Sequence, residues 1–196
     1  MDYLKYDAIF LIGPQGCGKG TQGRVLAKKI DFFYWEMGAI LREEAKKDTP
    51  FGRKVKDLIN AGHLLEDEEL YRVLETELPE VIKHKRIVFD GVPRTVPQGI
   101  FLIHYLQQSG YKNFATILID VPHDESVKRL LERAHHEFRE DDTPEKISFR
   151  LDLYEKQTKP VLKFLDAIGS FYTIDGVGSI AEITDRIDQA LGVKSA

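Results

Sequence analysis

An α/β fold with a mostly parallel sheet is what this sequence predicts, and three observations carry the prediction. Strand-like apolar runs alternate with helical patterns along the whole chain, the order that gives parallel strands joined by right-handed crossovers. The first run, Asp7 to Ile12, is apolar after Asp7 without polar alternation, as in a strand buried on both faces. That run passes through Gly13-Pro14-Gln15-Gly16-Cys17-Gly18-Lys19-Gly20-Thr21 into a helical pattern, so strand, glycine-rich turn and helix follow one another.

The remaining elements follow in order. Thr21 to Ile30 is the helix behind the glycine turn, and Phe32 to Trp35 is a short aromatic strand expected to pack into the core. Ile40 to Lys47 reads as a helix of mixed polarity. Pro50 opens another, Phe51 to Asn60, at the position where proline is tolerated, and Ala61-Gly62-His63 ends it. Glu66 to Glu69 places acids in the first turn of a helix running towards His84, which Pro79 kinks or divides. Arg86 to Asp90 is the third strand, Thr95 to Ser109 a helix stopped by Gly110, and Phe114 to Asp120 the fourth strand. A helix from His123 to His135 carries Arg129 and Arg133 on one face. After a polar surface loop, His136 to Asp142, a long helix runs from Thr143 to about Leu165 with Pro160 inside it. Phe171 to Ile174 is the fifth strand, and Gly176-Val177-Gly178-Ser179 turns into a last helix, Ile180 to Leu191.

A length of 196 residues suits one α/β domain with small insertions, and 42% hydrophobic against 31% charged residues is a balance that supports a core. The formal charge of −4 argues against a general nucleic-acid binder, although arginines can still gather in one cleft. The single cysteine, Cys17, excludes an internal disulfide framework and a four-cysteine zinc site. The start, Met1 to Tyr6, lacks the apolar run of a signal peptide, and no stretch approaches the length of a membrane span. A monomer in the reducing cytoplasm is the expectation.

The chemistry concentrates in four stretches. In the glycine turn, several backbone N–H groups can aim at one anion, the helix N-terminus adds its positive end, and Lys19 adds a full charge. The spacing Gly13-x-x-x-x-Gly18-Lys19 fits a P-loop, with Gly20 where Ser or Thr is usual and Thr21 one place later. Asp90, at the carboxyl end of its strand, falls near that loop, where an acid can hold magnesium through water. Arg94, four residues on, can grip a phosphate bidentately. Arg129, Arg133, Arg139 and Arg150 flank a short loop containing Asp141-Asp142. Cys17 is read as a small residue tolerated in the turn, and His135-His136 as a solvated edge, since sequence neighbours seldom share a metal.

Gly16-Cys17-Gly18-Lys19-Gly20-Thr21-Gln22 resembles the adenylate kinase family and its nucleoside monophosphate kinase relatives. Asp90-Gly91-Val92-Pro93-Arg94 is similar to that family's Asp-Gly-Phe-Pro-Arg motif, and the arginine spacing to its short-lid members. The resemblance implies a P-loop NTPase-like, five-stranded parallel sheet of order 2-3-1-4-5, with a helical acceptor-binding insertion at 36–65, a short lid at 134–142 and the core in the remainder. It implies phosphoryl transfer from MgATP to AMP giving two ADP, with no zinc and no covalent intermediate. Lys19, Arg94, Arg133, Arg139 and Arg150 form the implied catalytic set. Gly16, Cys17, Gly18, Lys19, Gly20, Thr21, Arg129, Arg133, Arg139 and Gly178 would bind ATP. Met37, Arg42, His63, Leu64, Leu65, Gly91, Val92, Pro93, Arg94, Gln98 and Arg150 would bind AMP, and Asp90 would hold magnesium through water. Glu36-Met37-Gly38-Ala39 departs from the family's Ser-Thr-Gly-Asp, so base discrimination and one magnesium-water contact stay open. UMP or CMP as acceptor, a broad-specificity nucleoside monophosphate kinase, and a catalytically impaired ATP-binding regulatory module are the rival readings.

Overall fold

A computed structural model describes residues 5–137 and 143–193. Five parallel strands form one sheet in the order β2-β3-β1-β4-β5: β1 Ala8–Ile12, β2 Phe33–Glu36, β3 Ile87–Asp90, β4 Phe114–Asp120 and β5 Ser170–Asp175. The central strand explains its own unbroken apolar run. Ala8, Phe10 and Ile12 face one core cluster and Ile9 and Leu11 the other, so neither side of β1 meets water.

Helices cover both faces. On one side, α1 (Lys19–Ile30) packs against α9 (Ile180–Leu191), burying Leu26, Ala27, Ile30, Ile183, Ile187 and Leu191 over the sheet. On the other, α4 (Asp67–Val81), α5 (Val96–Gln108) and α8 (Val161–Ile168) bury Leu74, Leu78, Leu102, Leu106 and Leu165. Two short helices, α2 (Met37–Glu44) and α3 (Pro50–Ala61), follow β2, and α6 (His123–Glu137) packs on α7 (Pro144–Leu153) through Leu130, Ile147 and Leu151.

The helix starts have chemical causes. Thr49, Thr95, Thr143 and Ser179 each accept a backbone N–H of the first turn, and Ser179 with Glu182 closes a reciprocal pair. Pro79 neither divides α4 nor stops it at once: it falls in the last turn, where only one backbone bond is forfeited before the helix ends at Val81. The helix expected from Thr143 to about Leu165 is broken. Pro160 carries no N–H to continue the ladder, Lys159 N bonds instead to Tyr154 O at 2.8 Å, and a π turn (Tyr154–Thr158) separates α7 from α8. β2 also departs from its expected role. Trp35 and Phe32 are buried and Tyr34 packs half-buried against the core with its hydroxyl on Asp90, but Phe33 is exposed at the sheet edge against the ring of His84. α6 continues to Glu137, past the expected start of the polar loop. Phe138, Arg139, Asp141 and Asp142 lie outside the described residues. Among those described, no helix is long and apolar enough to cross a membrane.

Candidate active site

The carboxyl ends of β1, β2 and β3 open onto two joined cavities. The larger, of about 400 Å3, is walled by Gly16, Gly18, Lys19, Gly20 and Thr21 of the loop and first turn of α1, by Glu36 and Asp90 at two strand ends, and by Arg24, Arg129 and Arg133. The smaller, of about 100 Å3, is of mixed polarity: Met37, Leu41, Ile59, Leu64, Leu65 and Leu70 line it, with His63 and Gln98. Gln15, Gly38, Arg42, Gly91, Arg94 and Arg150 border both, so a ring of three guanidinium groups stands at the junction.

The loop that starts α1 is held by backbone geometry that only glycine adopts without strain. Gly16 and Gly18 have φ of 82° and 95°, and a Cβ on Gly16 would lie 2.8 Å from the Ser126 carbonyl. Lys19 Nζ donates to the carbonyls of Gly13 at 2.6 Å and Pro14 at 2.8 Å, which fixes the ammonium over the loop. Cys17 is fully buried beside it, with Sγ 3.5 Å from Lys19 Nζ, and does not line the cavity.

β2 and β3 pair in register with Glu36 opposite Asp90, so two carboxylates stand side by side. Tyr34 donates to Asp90 at 2.7 Å and lies 3.4 Å from Glu36. Burial raises the Asp90 carboxyl above the usual carboxylate range, against the pull of Lys19 and the Tyr34 bond. Burial, with the negative charge of Asp90 and Glu36, pushes the Tyr34 phenol up, so it stays a donor. Glu36 also pairs with Arg42 at 2.7 Å and Arg24 at 3.0 Å. Ala39, where the family pattern has an acid, lines a groove outside β2 beside Glu77 and Glu80.

Arg94 donates from Nε to Gly91 O at 2.9 Å. Burial and the nearby charge of Arg150 hold it below the usual arginine value, and Asp90 opposes them. Gln98, 2% exposed, accepts from Arg94 N at 2.8 Å and donates to Asp67 at 2.8 Å. Val92 is fully buried and Pro93 borders a minor cavity with Gly13, Tyr154 and Thr158. His63 meets the ring of Phe149 edge-on at 4.7 Å. Arg129 pairs with Glu125 at 2.6 Å and reaches Gly176 O at 3.0 Å, tying α6 to the turn that contains Gly178.

Sequence reasoning missed Tyr34, Glu36, Asp67 and Gln15. Tyr34, Glu36 and Asp67 act through strand register or through a contact between helices, for which the chain carries no local mark. Gln15, inside the glycine turn, has a buried Oε1 with no partner among the described residues. Among the described residues no three His, Cys, Asp or Glu side chains gather to hold a metal.

A family model described as adenylate kinase matches residues 11–170. An adenylate kinase of Thermus thermophilus is 36% identical over 186 residues, covering 95% of this chain and 97% of that protein. One of Xanthomonas euvesicatoria pv. vesicatoria is 38% identical over 184 residues, covering 94% and 98%.

Proposed function

The chain belongs to the adenylate kinase family, and from that membership we propose how its cleft carries a phosphoryl group from MgATP to AMP. The larger cavity, floored by the P-loop, receives the ATP phosphates, and the smaller receives AMP with its base among Met37, Leu64 and Leu65. The observation that carries this reading is the shared wall: Arg42, Arg94 and Arg150 border both spaces, where donor and acceptor phosphates meet.

An oxygen of the AMP phosphate attacks the γ-phosphorus of ATP, the bond from that phosphorus to the β–γ bridging oxygen breaks, and ADP forms on both sides. The acceptor is already an anion, so no protein base is needed. What the chain supplies is position and positive charge for a transition state that spreads negative charge over the transferring oxygens. Lys19, Arg94, Arg133 and Arg150 carry that role, together with Arg139, which lies outside the described residues. Arg129, braced by Glu125 and Gly176 O, flanks the ATP side with Gly178.

Asp90, Glu36 and the Thr21 hydroxyl line the same wall, a set of hard oxygen donors that suits a magnesium ion held largely by phosphate and water. When bound with ATP, magnesium neutralises phosphate charge. Asp90 and Glu36 would hold that ion through water, Glu36 at the end of β2 standing in for the carboxylate absent at Ala39. The domain division follows the same logic, with 36–65, which contains α2 and α3, as the acceptor-side insertion and 134–142, which begins in the last turn of α6, as the short lid. The partners named by this reading are ATP, AMP and ADP, bound by a cytoplasmic monomer; the formal charge of −4 disfavours nucleic acid.

A coupled assay with AMP, CMP, UMP and GMP in turn tests the reading. AMP is expected to give the highest kcat/KM. A higher value for UMP or CMP would move the acceptor assignment, and no turnover with any of them would favour the regulatory module.

A further inference from the structure

The Gln98 amide is not free to turn. Its carbonyl oxygen accepts from Arg94 N at 2.8 Å, and its Nε2 donates to Asp67 Oδ1 at 2.8 Å. A backbone N–H can only donate and a carboxylate can only accept, so the partners themselves fix which end is oxygen and which is nitrogen. The Thr95 hydroxyl closes the ring, donating to Asp67 Oδ1 at 2.9 Å while accepting the Gln98 backbone N–H at 3.2 Å. Asp67 stands in the first turn of α4, where its charge meets the helix dipole favourably.

We propose that Asp67 is a specificity-determining positioning residue: it locks the Gln98 amide so that the acceptor pocket reads amino-substituted bases and rejects their oxo counterparts. The inference rests on the smaller cavity being the AMP site. The amide keeps one unused lone pair on Oε1 and one unused hydrogen on Nε2, side by side in a fixed order. The edge of a 6-aminopurine offers an N–H next to a ring lone pair and matches that order. A 6-oxopurine offers an oxygen next to a ring N–H, the reverse. To meet it the amide must turn over, which sets its carbonyl against the Asp67 carboxylate and its NH2 against Arg94 N–H. Both bonds are lost and like poles face each other. Met37 contributes only a weak thioether acceptor to this pocket, whereas the locked amide presents a donor and an acceptor in a fixed order.

The test compares kcat/KM for AMP and for inosine monophosphate, which differ only at that edge, with saturating MgATP. Being a ratio of two substrates on one protein, it does not depend on the active fraction of a variant. Asp67→Asn, whose amide can present either pole, is expected to lower the AMP:IMP ratio roughly tenfold, with the change in KM more than in kcat. Asp67→Ser, whose hydroxyl also donates or accepts, should act in the same direction and decides the matter if Asp67→Asn does not fold. An unchanged ratio in the variant that folds overturns the proposal. Gln98→Ala separates the two levels. If it abolishes the preference while the Asp67 variants keep it, Asp67 does not lock the amide. If Gln98→Ala keeps the preference, the base is read elsewhere and the AMP-site reading fails with it.

Discussion

Lys19 is held over the loop by two carbonyls before any phosphate arrives, so its charge costs little to place. Lys19→Met should fold, since the burial of its neighbours does not depend on the ammonium, yet lose about 3 kcal/mol or more of barrier lowering, roughly two orders of magnitude in kcat. A melting curve beside steady-state rates checks both halves. Glu36→Gln keeps the shape of that side chain and removes its charge. It is expected to raise the magnesium concentration for half-maximal turnover by about tenfold, and Mn2+ binding in the presence of a non-hydrolysable ATP analogue should weaken in parallel. Asp90 gives a prediction with a pH signature. Its carboxyl is raised by burial, so the folded protein holds that proton to higher pH than the unfolded chain does. The ionised form therefore costs stability above the folded pKa, and the cost fades as pH falls through it. Asp90→Asn should melt higher than the parent at pH 7, by a margin that shrinks on acidification, while turnover drops. A margin that grows on acidification would contradict the sign.

Where an element begins is written in the chain more clearly than where it bends. Thr95, Thr143 and Ser179 announce helices because a hydroxyl at that position satisfies an orphan N–H, and β4 reads at its full length because both faces are buried. The π turn at Tyr154–Thr158 is less legible, because proline says that a ladder must break and not how the backbone absorbs the break. The candidate site follows the same divide. Lys19, Asp90, Arg94 and Gln98 stand in contiguous motifs, whereas Glu36 and Tyr34 gain their places from β2–β3 register and Asp67 from the approach of α4 to α5. Gly62 ties two such elements together. It ends α3 at φ 78°, and a Cβ there would lie 2.9 Å from Arg150 Cγ on α7. Gly62→Ala should cost about 1–2 kcal/mol of stability and displace Arg150, raising KM for AMP several-fold with KM for ATP little changed. Equal shifts in both constants would mean that Arg150 does not serve the acceptor side.

At the scale of the whole molecule, the P-loop is only as fixed as the helix behind it, and that helix is fastened to the end of the chain. Gln22 donates to Ile180 O at 2.9 Å and accepts from Thr184 at 2.8 Å, so the first turns of α1 and α9 are joined by a closed pair of bonds. At the far end, Lys29 pairs with Asp188, whose carboxylate is 1% exposed and whose Oδ1 has no partner among the described residues. Such a pair gains little over apolar packing when intact, but breaking one side strands a buried charge. Lys29→Met should therefore cost about 3 kcal/mol, a fall in Tm of roughly 6–12 °C for a chain of this size. Lys29→Met with Asp188→Leu removes both charges and should recover most of that loss, since no ion is then left without a partner. Lys29 lies ten residues beyond Lys19 on α1, about 15 Å along the axis, so kcat at a temperature below both transitions should stay near the parent value. A double variant as unstable as the single one would mean that the pair contributes specific geometry to the α1–α9 seam and not only charge balance. A loss of kcat in the folded single variant would mean that the seam reaches the P-loop after all.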